Sequence, residues 1–276
     1  MILTGFGDEI SPELKEQLEV MEGEGIKYLE IRGVWGKNIL DLTDEELRKV
    51  KQILEDKGFK ISAVGSPIGK IGIKDDFEEH LRKFRKALDI AKFLGTHYIR
   101  IFSYYIPEND PPEKWRDEVM ERMREKVKLA EREDIVLVHE NERGIYGDIP
   151  SRCQDILKTI NSPYLRANFD PANFVFENIR PYTQGYPLLR RYIAYVHVKD
   201  ARHENGRVVC VPAGEGEGEM EEVLASLKEE GYRGFLSLEP HLSQAGKFTG
   251  FSGPENFRIA VRALKKILKK LDIDYH

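Results

Sequence analysis

Short β-rich runs alternate along this chain with longer stretches whose apolar residues recur at three- and four-residue spacing. Strands are predicted at 2–6 (ILTGF), 27–32 (KYLEIR), 60–65 (KISAVG), 97–102 (HYIRIF), 135–140 (IVLVHE), 165–170 (LRANFD), 194–199 (AYVHVK) and 235–240 (FLSLEP). The amphipathic stretches between them carry helix punctuation. SPELKEQLEVMEGEG opens with Ser11 as N-cap and Pro12 at the first helical position, and closes on glycine. LTDEELRKVKQILEDKG has Thr43 three residues before Glu46, the spacing of a capping box, and stops at Gly58. FEEHLRKFRKALDIAKFLG, EKWRDEVMERMREKVKLAERE, EMEEVLASLKEEG and PENFRIAVRALKKILKKL repeat the spacing, with weaker patterns near 150–160 and 180–192.

Eight strand–helix pairs in strict alternation predict a parallel sheet covered by helices, closed into a (β/α)8 TIM barrel rather than left as an open doubly wound sheet. The open alternative would carry a Gly-rich nucleotide turn after its first strand. GFGDEI has G-x-G and lacks the third glycine. At 276 residues the chain fits one barrel domain, 1–276.

Composition narrows the partners. With 41% hydrophobic and 33% charged residues the chain reads as a soluble globular protein with material for a core. Lys plus Arg (43) against Asp plus Glu (48) gives a net charge of −5 without a basic stretch, so nucleic acid is not an expected partner. The N-terminus lacks a basic start followed by an apolar run, and no stretch has the length of a membrane span; a cytoplasmic protein without membrane contact is expected. Cys153 and Cys210 lack CxxC spacing and read as reduced structural thiols.

Four predicted strand ends carry a potential metal ligand: Glu140, Asp170, His197 and Glu239. Two carboxylates able to flank a substrate, an aspartate and an imidazole suit one divalent cation and a proton-transfer reaction. They converge only if the fold gathers the ends of several strands, as a barrel does. Side chains alternate faces along a strand, so Asp170 shares a face with Asn168 and Arg166, and His197 with Tyr195 and Lys199. On the same argument Glu30 and Arg32 oppose Leu29 and Ile31, and Arg100 opposes Ile99 and Ile101. Unpaired charges on that face would each cost on the order of several kcal/mol, so Glu30 is expected to pair with Arg32 or Arg100.

Other segments read more plainly. DEVMERMREKVKLAERED is expected to be a solvated helix face and PAGEGEGE a mobile loop after the seventh strand, its glutamates repelling phosphate. Lys70, in SPIGK beyond the third strand, is placed to meet an anionic or hydroxylated substrate. His80, His97, His203, His241 and His276 lack ligand spacing, and His139 faces away from Glu140.

Taken together, VHENERGIYGD, ANFDPANF, HVKDARHENGRVVCVPAGEGEGE and GYRGFLSLEPHL resemble the xylose isomerase-like barrel superfamily, in particular its sugar phosphate isomerase/epimerase branch, over almost the whole chain. The resemblance implies a Glu, Asp, His, Glu quartet on Glu140, Asp170, His197 and Glu239 holding one divalent cation, Mn²⁺ first, with Mg²⁺, Co²⁺ or Zn²⁺ as alternatives. Glu140 and Glu239 would act as acid and base. Ketose 3-epimerases of this branch place a substrate-binding histidine where this chain has Asn173, and an arginine in the loop after the metal histidine, for which Arg202 and Arg207 are candidates. Apurinic endonucleases share the barrel but use further histidines, one of them in a D-x-x-H that here ends in Asn173; with the negative charge, this argues against DNA repair.

The expected activity is that of a sugar epimerase or isomerase acting through an enediolate, with Lys199, Asn173, Arg202, Arg100 and Lys70 as candidate substrate contacts. Its partner would be a sugar or polyol ketone, with phosphorylated or acidic forms included. Loss of a β-hydroxyl from the same enediolate, as in inosose dehydratases of the superfamily, and a non-catalytic sugar-binding barrel are the alternatives. Barrels of this kind often associate, so a homo-oligomer remains open.

Overall fold

The computed structural model describes residues 1–242 and 252–276. Eight parallel strands form one sheet: β1 (Ile2–Gly5), β2 (Tyr28–Ile31), β3 (Lys60–Gly65), β4 (Tyr98–Ile101), β5 (Val136–Glu140), β6 (Leu165–Phe169), β7 (Ile193–Val198) and β8 (Phe235–Leu238). Successive strands are neighbours from β2 to β8, and β8 returns to pair with β1 from Ile2↔Phe235 to Gly5↔Leu238. The remaining seam, between β1 and β2, is joined by the parallel bridge Phe6↔Glu30. The result is a TIM barrel, its strand ends gathered at one mouth.

Helices α1 (Leu14–Gly23), α2 (Asp44–Lys57), α3 (Phe77–Leu94), α4 (Arg116–Arg132), α5 (Pro150–Ile160), α6 (Pro171–Phe176), α7 (Tyr186–Leu189), α8 (Met220–Glu229) and α9 (Pro254–Lys270) surround it. The main core lies between helices and sheet, where outward residues such as Leu29, Ile99 and Val196 meet Leu18, Phe84 and Phe257. Inside the barrel, Ala63, Val138 and Tyr195 form a smaller apolar layer beneath the mouth. Tyr195 satisfies its hydroxyl through Ser62 (2.9 Å), which also contacts Thr4 (2.8 Å). None of the described helices is long and apolar enough to cross a membrane.

The local signals hold at α2, where Thr43 and Glu46 form the capping box and Gly58 ends the helix at φ 67°. At α1 the expectation is corrected: the helix starts at Leu14, not at Pro12, because the Pro12 carbonyl is taken by the Trp35 N–H (2.6 Å) and the Ser11 hydroxyl accepts from the Glu13 N–H. The segment 180–192 is not one helix but a wide turn (Pro181–Gly185), α7 and a 3-10 turn (Arg190–Tyr192).

After β7 the chain makes an antiparallel hairpin, Asp200–Glu204 against Arg207–Val211, that the strand–helix reading missed. Its signal was present: Asn205 and Gly206 both adopt positive φ (51° and 75°), the turn for which Asn-Gly is the strongest short-range mark. PAGEGEGE follows, and it is pinned rather than free. The buried Asp200 carboxylate accepts from the N–H groups of Gly214 (2.8 Å), Gly216 (3.1 Å) and Gly218 (2.9 Å). A Cβ at Gly216 would lie 2.2 Å from Asp200 Oδ1, so only glycine allows this wrap.

The charged face of α4 is solvated apart from Arg122, which packs over the Phe77 and Tyr104 rings, and Lys126, which is fully buried. Its Nζ donates to the Phe102 carbonyl (3.3 Å) and lies 4.6 Å from the Tyr104 ring centre. Burial first, and the Arg122 charge second, push its pKa down to about 7. An unfolded lysine titrates near 10.4, so between these values the unfolded chain binds a proton that the fold does not, and stability rises with pH across that window. Lys126→Met is expected to raise stability at pH 7 and to remove a slope of up to about 1.4 kcal/mol per pH unit between pH 7 and 10. Denaturant unfolding of both proteins across that range reads this directly.

Candidate metal centre

Each residue of the quartet owes its position to a strand end. Glu140 is the last residue of β5, His197 lies one residue before the end of β7, and Glu239 follows β8. Asp170 follows β6 and caps α6: its Oδ1 accepts from the Asn173 N–H (2.9 Å), with Pro171 at the first helical position. Asn141 locks this corner, its Oδ1 accepting from the Asp170 N–H (3.0 Å) and its amide donating to the Asp170 carbonyl (2.9 Å). One ligand atom from each of the four buried residues lies within 4.8 Å of the others.

The histidine ring divides its roles. Nδ1 faces the cluster, 3.3 Å from Glu140 Oε1, 3.5 Å from Glu239 Oε2 and 3.9 Å from Asp170 Oδ2. Nε2 faces away, 3.2 Å from Glu30 Oε2 and 2.9 Å from the Asn168 amide, while the Ser237 hydroxyl donates to Glu30 (2.6 Å). A proton held on Nε2 by Glu30 leaves the Nδ1 lone pair for a metal. Glu30 therefore pairs with His197, not with Arg32 or Arg100 as expected. Glu30 points into the barrel interior, where it meets His197 of β7 and Ser237 of β8.

Three cations hold the remaining charge. Arg100 donates to Glu140 Oε2 (3.2 Å) and to the carbonyls of Gly65 and Ser66 (3.2 and 3.3 Å). Arg32 donates to Glu239 Oε1 (2.5 Å), Asp8 (2.7 Å) and Glu9 (3.2 Å). Both guanidiniums rest on the Phe6 ring, 4.2 Å (Arg32) and 5.2 Å (Arg100) from its centre. Lys199 Nζ lies 3.1 Å from Glu239 Oε2 and 2.8 Å from Asp170 Oδ2, the latter at an angle that makes an ion pair but no hydrogen bond.

These contacts set the protonation of the site. Burial alone would raise the Glu140 carboxyl, but His197 and Arg100 hold it well below the usual range. Burial is likewise outweighed at Glu239, by Lys199, His241, Arg32 and His197. At Asp170 burial prevails over Lys199, and with Glu140 and Glu239 nearby the pKa rises to about 7. Burial lowers His197 but Glu140 and Glu30 carry it up to about 10, so metal uptake at neutral pH must release a proton.

The donor set fits a divalent cation. His197 Nδ1 and Asp170 Oδ2 are buried, face the cluster centre and have no hydrogen-bond partner among the described residues. Three carboxylates with one imidazole are ligands for a hard or borderline divalent ion.

Of the other sequence candidates, Asn173 joins the cluster, donating to Glu140 Oε1 (3.1 Å) and the Asn141 carbonyl (2.9 Å). Lys70 pairs with Glu142 (2.7 Å) and lies over the Phe102 ring. Arg202 is not brought to the cluster; it pairs with Glu204 (3.1 Å) toward the exposed tip of the hairpin, which also carries Arg207. The sequence reading passed over Asp8 and Glu9 and set His241 aside as lacking ligand spacing. Glu9, fully buried, meets Arg32, His241 Nε2 (3.3 Å) and the Ser252 hydroxyl (2.8 Å), and with Glu239 and His241 it makes a second close group. Its position just beyond β1 was the available signal.

Comparison with known proteins agrees with the barrel fold. The family model described as "Xylose isomerase-like TIM barrel" matches residues 18–267. A curated 3-dehydroshikimate dehydratase from Bacillus anthracis is 22% identical over 229 residues, 78% of this chain and 81% of that protein. Among solved structures, an IOLI protein with a bound zinc atom superposes with TM-score 0.79 at 19% identity, covering 98% of this chain and 99% of that one. A D-tagatose 3-epimerase-like protein does so with TM-score 0.77 at 19% identity, covering 99% and 98%. At these identities the superpositions establish the fold.

If Glu30 orients His197, Glu30→Gln is expected to weaken Mn²⁺ binding by about 10- to 100-fold. Titration calorimetry on metal-stripped protein measures this, and an unchanged affinity would exclude the orienting role.

Proposed function

The chain belongs to the xylose isomerase-like TIM barrel family, and on that premise we propose that it is a divalent-metal-dependent sugar isomerase or epimerase that moves a proton beside a carbonyl. The observation that carries this reading is the pair of glutamates, Glu140 and Glu239, meeting at one imidazole nitrogen, each with an arginine on its other oxygen. Glu140, Asp170, His197 and Glu239 would hold the cation, whose chemistry when bound is Lewis acidity toward the substrate's carbonyl and adjacent hydroxyl oxygens.

One glutamate removes the proton beside the carbonyl, and the other, after taking up a proton from solvent or a substrate hydroxyl, gives one back. Return from the opposite face inverts the centre; return to the adjacent carbon isomerises the sugar. An ionised carboxylate accepts a proton, and the arginine at its side limits its basicity while fixing its rotamer. Phe6 and the apolar layer under the mouth exclude water from below, which strengthens these electrostatic contacts. Asn173 stands where the best-known ketose epimerases carry histidine and is bound to Glu140, which favours a substrate other than their ketohexoses.

Dehydration is the second reading. It is supported by the dehydratase relative and by the buried Lys199 at the site, a cation suited to an acidic substrate or to a departing hydroxyl. In both readings the substrate is a small polyhydroxylated ketone, neutral or acidic.

Solvent-deuterium exchange into ketoses, ketose phosphates, keto-sugar acids and inosose, followed by NMR on Mn²⁺-loaded protein, tests the proposal. Metal-dependent deuterium beside a carbonyl is expected, without water loss for an isomerase or epimerase and with it for a dehydratase. Glu140→Gln and Glu239→Gln should each reduce exchange by at least about 100-fold. Turnover surviving Glu239→Gln would overturn the two-glutamate scheme, and ligand binding without exchange would indicate a binding protein.

A further inference from the structure

The three carboxylate ligands divide their oxygens between two environments. The oxygens nearest His197 Nδ1 are Glu140 Oε1, Asp170 Oδ2 and Glu239 Oε2. The arginines take other atoms: Arg100 donates to Glu140 Oε2 and Arg32 to Glu239 Oε1. Lys199 instead stands on the inner oxygens, with Nζ 2.8 Å from Asp170 Oδ2 and 3.1 Å from Glu239 Oε2. On Glu140 Oε1 the inner donor from a neighbouring side chain is the neutral Asn173 amide (3.1 Å). Its side chain 6% exposed, Lys199 lies just beyond β7, two residues after His197, and turns to the same inward side. A full positive charge therefore sits on two of the atoms that would turn toward a bound cation.

We propose that Lys199 is an internal counter-ion of the metal centre, competing with the divalent ion for Asp170 and Glu239. The inference rests on the metal reading given above. Without metal, three buried carboxylates within reach of one another repel, and an ammonium between two of them holds the cluster together. The fold then does not depend on metal, unlike small metal-nucleated domains. When metal binds, Lys199 gives up the two inner oxygens and its charge opposes the arriving ion. The site thus binds metal more weakly and more reversibly than its ligand set alone would. A lysine that served only as a substrate contact would not affect metal binding when substrate is absent.

The test is titration calorimetry of Mn²⁺ into metal-stripped wild type, Lys199→Met and Lys70→Met, the last removing the same charge from the neighbourhood of Glu142, away from the ligands. Lys199→Met is expected to bind Mn²⁺ at least about tenfold more tightly, and Lys70→Met within about twofold of wild type. Thermal unfolding gives a second readout: metal-stripped Lys199→Met should melt below wild type, and saturating Mn²⁺ should raise its Tm more than it raises that of wild type. Lys199→Gln, which keeps a hydrogen-bond donor and loses the charge, gives the same comparison should the methionine variant not survive stripping. One Mn²⁺ per chain with unchanged or weaker affinity in the Lys199 variants would overturn the competition while leaving the metal centre intact. No Mn²⁺ uptake by wild type would overturn the metal reading itself, and this inference with it.

Discussion

Three carboxylates and an imidazole packed within 4.8 Å of one another in a buried site create a repulsion that the surrounding structure must offset. In a medium of low effective dielectric such neighbours interact far more strongly than in water, and leaving one unpaired costs several kcal/mol, on the order of 3–5. The barrel brings a cation from a different strand end to each exposed need. Arg100 comes from β4 to Glu140, Arg32 from beyond β2 to Glu239, and Lys199 from beyond β7 to Asp170 and Glu239. Phe6, just beyond β1, supports both arginines with its ring faces and meets His197 edge-on (5.2 Å between centroids).

The same economy governs the backbone at the mouth. Asp170 uses one oxygen to cap α6 and leaves the other for the cluster, so the helix start and the ligand geometry are one feature. Asp200, three residues beyond His197, organises the glycine loop through backbone N–H groups and so holds the exit from β7 in place. Glu9 performs a comparable task beside Glu239, receiving the N–H of His241 (3.2 Å) and the hydroxyl of Ser252 (2.8 Å). Each is a buried acid whose hydrogen bonds replace the water it has lost.

A site built in this way gives the two oxygens of each glutamate separate surroundings. Arg100 and Arg32 hold the outer oxygens of Glu140 and Glu239. The inner oxygens face the imidazole nitrogen, which suits a metal. Around this core, Asn173 of α6 is engaged with Glu140, and Arg202 with Glu204 on the hairpin after β7. The chain shares its barrel fold with a D-tagatose 3-epimerase-like protein and is similar in sequence to a dehydratase, and a shared barrel does not by itself set the reaction.

The strands, the barrel and the quartet were legible because each depends on local order. Strand parity has a period of two, so the face of Glu140, Asp170 or His197 follows from its own strand, and the Thr43–Glu46 box from four consecutive residues. The Asn205–Gly206 hairpin was equally local and was overlooked. What the tertiary structure alone decided is pairing. Glu30 meets His197 across the barrel, Arg32 meets Glu239 because β1 brings β2 and β8 to either side of it, and Lys126 is drawn from a charged helix face into the core. Residue type and strand parity determine which atoms point inward. Which partners they find depends on strands far apart in sequence becoming neighbours and on how completely water is removed when they do.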